Sequence, residues 1–411
     1  MSFFKKITLI VGIMVMSSNL FADTKKVTID VSVSCESCQD KCEKCQNCIK
    51  SSNCYKSYEL GNELCDGDLP KAYNAPAGIN VSGINTFVTS SFIYWEILTD
   101  QTNLGIARFG NQASDEYEFE VKKFPTIYEP GFKVGLGVEF FSDNWNLFSQ
   151  YTRLHKIKHT SFDLSGLYSF LTPWIMIGNH NISTAVGSIK AFKKFNLDKL
   201  DLELARSYYV GKNLTLKPFI GGEVHWLDQN YNIEYTVRVG GETPGDFFNM
   251  PNRLFLKNDS WALGPRFGLG SNWIFYKGFR LFASGALNLL YSKNNISGFG
   301  NGYFKELSQD PSAISYIVPK VKKSILRDVE ELMIGLGWGS YFKCDKWYFD
   351  LFVAYDAQRY SHTNYMAQLA QIADIDNVSN SIGFGGHNSS NLVKPGDSFL
   401  HGLTITARLD F

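Results

Sequence analysis

The chain has 411 residues, and its 40 lysine and arginine side chains against 40 aspartate and glutamate give a formal charge of zero. That balance argues against a nucleic-acid binder, which carries a basic excess or stripe. Aromatic residues make up 15%, with 35 glycines and only 12 prolines, a bias toward strand formers and tight turns. After residue 22 no apolar run reaches the roughly 20 residues of a helical span, whereas a membrane barrel stays open because its alternating strands average out.

Residues 1–22 read as a secretory signal peptide: Lys5 and Lys6 form the basic end, Ile7 to Met16 the apolar core, and Leu20-Phe21-Ala22 the cleavage site. Residues 23–82 form a cysteine-rich segment expected in the periplasm. Seven of the eight cysteines lie there, Cys35, Cys38, Cys42, Cys45, Cys48, Cys54 and Cys65, and the eighth is Cys344. In an exported chain such a cluster points to disulfides. The CESC, CEKC and CQNC spacings also suit a zinc or iron–sulfur site, but an oxidising compartment competes for the thiols, and no metal or cofactor is expected. The 3-4-3 step of Cys35, Cys38, Cys42 and Cys45 fits two arrangements. One is a helical stripe whose thiols pair between chains; the other is a small non-helical loop with internal bridges.

From residue 83 onward the period becomes two, which sends alternate side chains to opposite faces of a strand. Phe132, Val134, Leu136 and Val138 oppose Lys133 and Glu139, while Leu200, Leu202 and Leu204 oppose Asp201 and Glu203. Leu216, Ile220, Val224 and Trp226 oppose Lys217, Glu223 and His225; Leu263, Phe267 and Leu269 oppose Arg266; Leu281, Leu287 and Leu289 oppose Arg280. Leu351, Val353 and Tyr355 oppose Asp350 and Asp356. The last segment sets Leu403, Ile405, Ala407, Leu409 and Phe411 against Arg408 and Asp410. A terminal Phe411 closing such a strand is the signal that barrel assembly machinery reads. Trp145, Trp226, Trp273, Tyr291 and Trp347 stand at strand ends, where aromatic girdles sit. The fold expected is therefore all-β: a transmembrane antiparallel barrel over residues 83–411, apolar face to lipid and polar face to the lumen.

Short connections at 142–144, 210–213, 276–278 and 343–346 alternate with long stretches at 98–130, 159–188, 228–257, 293–324 and 360–398. Periplasmic turns are short and external loops long, so this order predicts at least ten strands, with twelve to sixteen if Tyr117–Val121 and Tyr231–Val239 form further hairpins. All eight cysteines then fall on the periplasmic side.

Seven stretches carry a resemblance: FVTSSFIYWEI (87–97), PGFKVGLGVEFFSDNWNLFSQYTRLH (130–155), LDLELARSYYVGKNLTLKPFIGGEVHWLDQ (200–229), NDSWALGPRFGLGSNW (258–273), GFRLFASGALNLLYSK (278–293), RDVEELMIGLGWGSYFKCDKW (327–347) and PGDSFLHGLTITARLDF (395–411). As a set the sequence resembles the Legionella major outer membrane protein family and its chlamydia-like relatives. That resemblance implies a pore-forming protein of the bacterial outer membrane, without covalent chemistry, and makes disulfide cross-linking to other cysteine-rich envelope proteins or to a second copy a natural expectation. The cysteine-rich segment departs from the family pattern, in which a longer N-terminal region occurs. The expected function is a porin for small hydrophilic solutes, with a non-conducting coat or adhesin barrel as the alternative. The lumen candidates, five basic and seven acidic with His225 left aside, point to a slight cation preference. An outer-membrane hydrolase would need a nucleophile, base and orienting acid together, and no such signature is found. His155 and His159 read as solvated loop histidines rather than metal ligands.

Overall fold

A computed structural model describes residues 84–110, 117–126, 128–140, 145–164, 169–171, 186–210, 213–240, 247–276, 278–301, 315–342, 347–366 and 394–411. The expected signal peptide, the cysteine-rich segment and all eight cysteines lie outside the described residues. The strands in chain order are β1 (Ile84–Thr99), β2 (Asn103–Gly110), β3 (Tyr117–Lys123), β4 (Tyr128–Phe140), β5 (Trp145–Asp163), β6 (Ser169–Leu171) and β7 (Val186–Arg206). They continue with β8 (Tyr208–Tyr209), β9 (Leu214–Gly240), β10 (Phe247–Tyr276), β11 (Phe279–Asn301), β12 (Ser315–Phe342), β13 (Trp347–Asn364) and β14 (Gly396–Asp410).

Ten of these close into an antiparallel barrel in the order β1-β4-β5-β7-β9-β10-β11-β12-β13-β14, with β14 pairing back onto β1. Closure leaves no unpaired edge, which in lipid would strand backbone donors and acceptors. The seam is held to its end: Phe411 N donates to Thr86 O at 3.0 Å, and its ring packs 6.1 Å from that of Trp347. The tight turn between β10 and β11 places Gly278 at φ 85°, a backbone region that a side chain disfavours.

The outer face reads as a bilayer profile. Leu263, Phe267, Leu269, Leu281, Leu287, Leu332, Leu336, Leu351 and Val353 are all exposed there. Trp145, Trp273, Tyr276, Trp338, Trp347 and Phe411 ring the end with the short turns. Tyr94, Tyr128, Trp261, Tyr291 and Tyr355 ring the other, with Trp261 stacked edge-on to Tyr291 at 6.1 Å. The twelve residue-to-residue steps from Tyr291 to Phe279 correspond to about 40 Å of strand, or about 30 Å of height at a tilt near 40°, the scale of a hydrocarbon core. Immediately beyond the upper ring the outward positions turn polar: Asp228 follows Trp226, Asp259 follows Trp261, and Lys293 follows Tyr291.

The expected loops at 228–257 and 293–324 are in large part strand. Strands β9 and β10 run 27 and 30 residues and stay paired from Trp273–Leu214 to Phe247–Gly240, so the wall rises about 30 Å past the membrane. Tyr231–Val239 is this extension of β9, and Tyr117–Val121 lies in β3, which joins a separate three-stranded sheet β3-β2-β6. Neither adds a strand to the wall, which settles the count at ten rather than twelve to sixteen.

Within the extension the polarity inverts. Inward-facing Ile189, Ala191, Tyr231, Ile233, Tyr235, Leu254, Leu256 and Ile296 form one buried cluster with Leu104, Ala107, Phe124 and Phe170 from the small sheet and its flank. The small sheet therefore packs inside the upper wall, tied by Tyr235 Oη donating to Leu104 O at 2.8 Å.

Candidate functional site: the barrel interior

Period-two geometry places every lumen candidate on the inner face of the wall, where the polar groups form two linked tiers. The lower tier lies near the short turns. Arg408 donates to Glu139 at 2.8 Å and to Asp410 at 2.6 Å, with its guanidinium 3.7 Å above the Phe87 ring. Arg280 is bonded to Asp350 and reaches Tyr348 Oη at 3.4 Å. Lys217 sits in the field of Glu139, Glu203 and Asp410. The rings of Phe87 and Phe148 stack at 5.7 Å over glycines of β4: a Cβ at Gly137 would fall 2.0 Å from the Phe87 ring.

The middle tier is denser. Lys199 lies 3.3 Å from Asp201, 3.4 Å from Glu223 and 2.5 Å from Glu331. Arg266 contacts Glu203 at 2.9 Å and Glu331 at 2.5 Å, and donates to Asn288 at 3.2 Å. Glu223 pairs with His225 at 2.7 Å and accepts from Asn288. His225 in turn meets Arg327 at 3.0 Å and the edge of the Tyr360 ring. Arg327 is satisfied by the Ser361 and His362 carbonyls and by Asn294. Across the lumen, Lys133 binds Asp356 at 2.7 Å and lies 4.6 Å above the Trp95 indole, whose Nε1 donates to Thr404. Glu223, His225, Asn288 and Arg327 are fully buried. Buried charges need ion pairs or hydrogen bonds to stand out of water: Glu223 has Lys199 and His225, and Arg327 is held by hydrogen bonds alone.

Above Lys199, Arg266 and Glu331 an apolar layer crosses the lumen, with buried polar side chains such as Gln229, Asn258, Asn294 and Arg327 beside and above it. Ile93, Trp95, Ile97, Leu154, Phe195, Leu197, Leu227, Ala262, Leu290, Val329, Tyr360 and Leu400 form one cluster. They come from every barrel strand except β4, and none is more than 5% exposed. Small barrels have interiors that side chains can fill, and in this layer the buried side chains pack on one another.

Sequence reasoning missed Lys199, Arg327 and Glu331. Lys199 continues the inward parity of Asp201 and Glu203, so the signal was present. Arg327 and Glu331 required the register of β12, where inward-facing Gly335, Gly337 and Gly339 blur the alternation. His155 and His159, expected in a loop, both lie within β5, where His155 contacts Asp198 at 3.2 Å and His159 packs edge-on to Phe192. No trio of His, Cys, Asp or Glu able to hold a metal occurs among the described residues.

The family described as Legionella pneumophila major outer membrane protein precursor matches over residues 86–396. No curated protein matches the chain. Among solved structures, the outer membrane protease OmpT from Escherichia coli is similar at 10% identity and TM-score 0.39, covering 82% of this chain and 98% of that one. The toluene transporter TodX of Pseudomonas putida aligns at 8% identity and TM-score 0.26, covering 82% and 91%. A FadL homologue of Pseudomonas aeruginosa aligns at 10% identity and TM-score 0.24, covering 86% and 96%.

Proposed function

We propose that this chain, which belongs to the Legionella pneumophila major outer membrane protein family, is a closed outer-membrane barrel that serves as a structural scaffold of the envelope. The observation that carries this reading is the apolar layer across the lumen: a hydrated solute would have to displace packed side chains, and a dry apolar constriction opposes ions as well. The charged tiers below it are neutralised by their own ion pairs, so they act first as a polar core that fixes the register of the wall. No catalytic role is assigned to them.

The scaffold presents two faces. Above the membrane stands the tall extension with its packed small sheet. Below it, with the short turns in the periplasm, the cysteine-rich residues 23–82 precede β1 in the chain and Cys344 falls in the β12–β13 connection. On this reading the cysteines cross-link envelope proteins or copies of the chain through disulfides.

A porin is the second reading, favoured by the acidic and basic groups that β4, β7 and β9 to β14 contribute to the lower and middle tiers. Single-channel recording of the protein refolded into planar bilayers separates the two. The scaffold reading predicts no persistent unitary steps in oxidised or reduced protein, and stable steps of uniform size would establish the porin.

A further inference from the structure

A cavity of about 300 Å³ opens inside the extracellular extension, between the β1–β2 turn, the β3–β4 link and the inner faces of β5 and β7. Four lysines line it, Lys123, Lys156, Lys158 and Lys193, against one acid, Asp100. Two of them, Lys158 and Lys193, are direct cross-strand partners, a placement in which like charges repel. Lys156, one pair lower on β5, adds a third positive charge and has Glu129 at 3.5 Å.

Lys193 is the anomaly. It is only 9% exposed, and no carboxylate or hydrogen-bond acceptor reaches its ammonium among the described residues. Its company is the faces of Tyr231 at 5.5 Å and Phe124 at 6.0 Å. A buried cation held by aromatic faces and flanked by other cations lacks the counter-charge that burial demands. Burial and the neighbouring Lys156 accordingly pull its pKa down to about 7. The remaining lining sets apolar Ile97, Leu98, Phe124, Pro125 and Phe195 beside polar Thr99, Gln101, Thr102, Asn103 and Thr126.

We propose that this cavity binds a small organic anion, whose carboxylate or phosphate oxygens are held by Lys193, Lys156 and Lys158 while its apolar body packs on Phe124, Phe195 and Ile97. The charge supplied is the one the lysine cluster is missing, and the volume is at the small end of ligand pockets. The site stands whether or not the barrel conducts.

Isothermal titration on the full chain refolded in detergent at pH 6.5 tests it with three probes of one shape: benzoate, phenyl phosphate and the uncharged benzamide. At least one of the two anions should bind, with benzamide weaker by about tenfold or more, the scale of a lost charge-assisted contact; whichever anion is tighter identifies the headgroup. Lys193→Met keeps the aliphatic stem and removes the unpaired charge, so the variant should fold and lose about tenfold or more in anion affinity, and Lys158→Gln should weaken binding in the same direction. No heat with either anion at 10-millimolar order, equal binding of benzamide, or unchanged anion affinity in Lys193→Met would overturn the proposal.

Discussion

Replacing Trp95 by alanine probes the layer on which the closed-barrel reading rests. The indole has no exposed surface; it stacks on the Lys133 ammonium, donates to Thr404 at 3.1 Å and fills the lumen beside Leu400 and Tyr360. Truncating a buried tryptophan costs about 3–5 kcal/mol through lost transfer energy and the cavity left behind. Within that figure, the Thr404 hydrogen bond accounts for about 1 kcal/mol and the ring over Lys133 for up to about 2 kcal/mol because the pair is desolvated. Reversible urea unfolding in lipid vesicles, followed by far-ultraviolet circular dichroism and by migration of unheated samples on gels, gives the difference directly. Trp95→Phe keeps most of the volume and should lose less than half as much. A loss below about 1 kcal/mol for Trp95→Ala, at the low end of what single substitutions do, would mean that the indole does not pack in the lumen, and the sealing layer would go with it.

Further outcomes follow from the same geometry. Lys199→Met leaves Asp201, Glu223 and Glu331 facing one another without their shared cation, and equilibrium unfolding should show a loss of about 3–5 kcal/mol, the cost of stranding buried charge. Leu287→Arg, on the lipid face between the aromatic rings, should destabilise by about 2–4 kcal/mol in bilayers, whereas Phe255→Arg, above the upper ring, should cost about 0–1 kcal/mol; equal costs would contradict the placement of the bilayer. The pH dependence of stability carries a signature of Lys193, which faces Lys156 and Lys158 from β5, Lys123, Asp100 and the phenol of Tyr231. Its folded value near 7 lies below the ordinary 10.5, so between those values the unfolded chain binds more protons and stability rises with pH. Lys193→Met should flatten that rise, as read by unfolding midpoints across pH 7 to 10, and an unchanged slope would assign it to other groups.

Much of the barrel was legible because a strand in lipid has two fixed environments, and parity alone sorts side chains between them. That is why Lys133, Glu223, Arg266, Asp350 and Arg408, picked out only by alternation with leucines and aromatics, all face the interior. The height of the wall was not legible, for a physical reason. Along β9 the apolar residues point outward as far as Trp226; beyond it Asp228, Asn230, Asn232 and Glu234 point outward, and Leu227, Tyr231, Ile233 and Tyr235 point inward. The period never breaks, but the solvent outside changes from lipid to water and the core moves inside, so a search for an apolar outer stripe ends at the membrane and leaves the rest as loop. The filling of the lumen was hidden for a related reason. Burial on the inner face depends on how many strands share it, and partners such as Lys199 and Glu331 lie 132 residues apart in the chain.

Exchange of the Trp95 indole N–H with solvent deuterium, followed by NMR on the refolded protein with the resonance assigned through Trp95→Phe, asks whether water reaches the middle of the lumen. A sealed barrel predicts protection lasting hours, comparable to the backbone amides of β1 and β14. Exchange complete within seconds at neutral pH, while those amides remain protected, would mean that the lumen is wet through that layer and the barrel is an open channel.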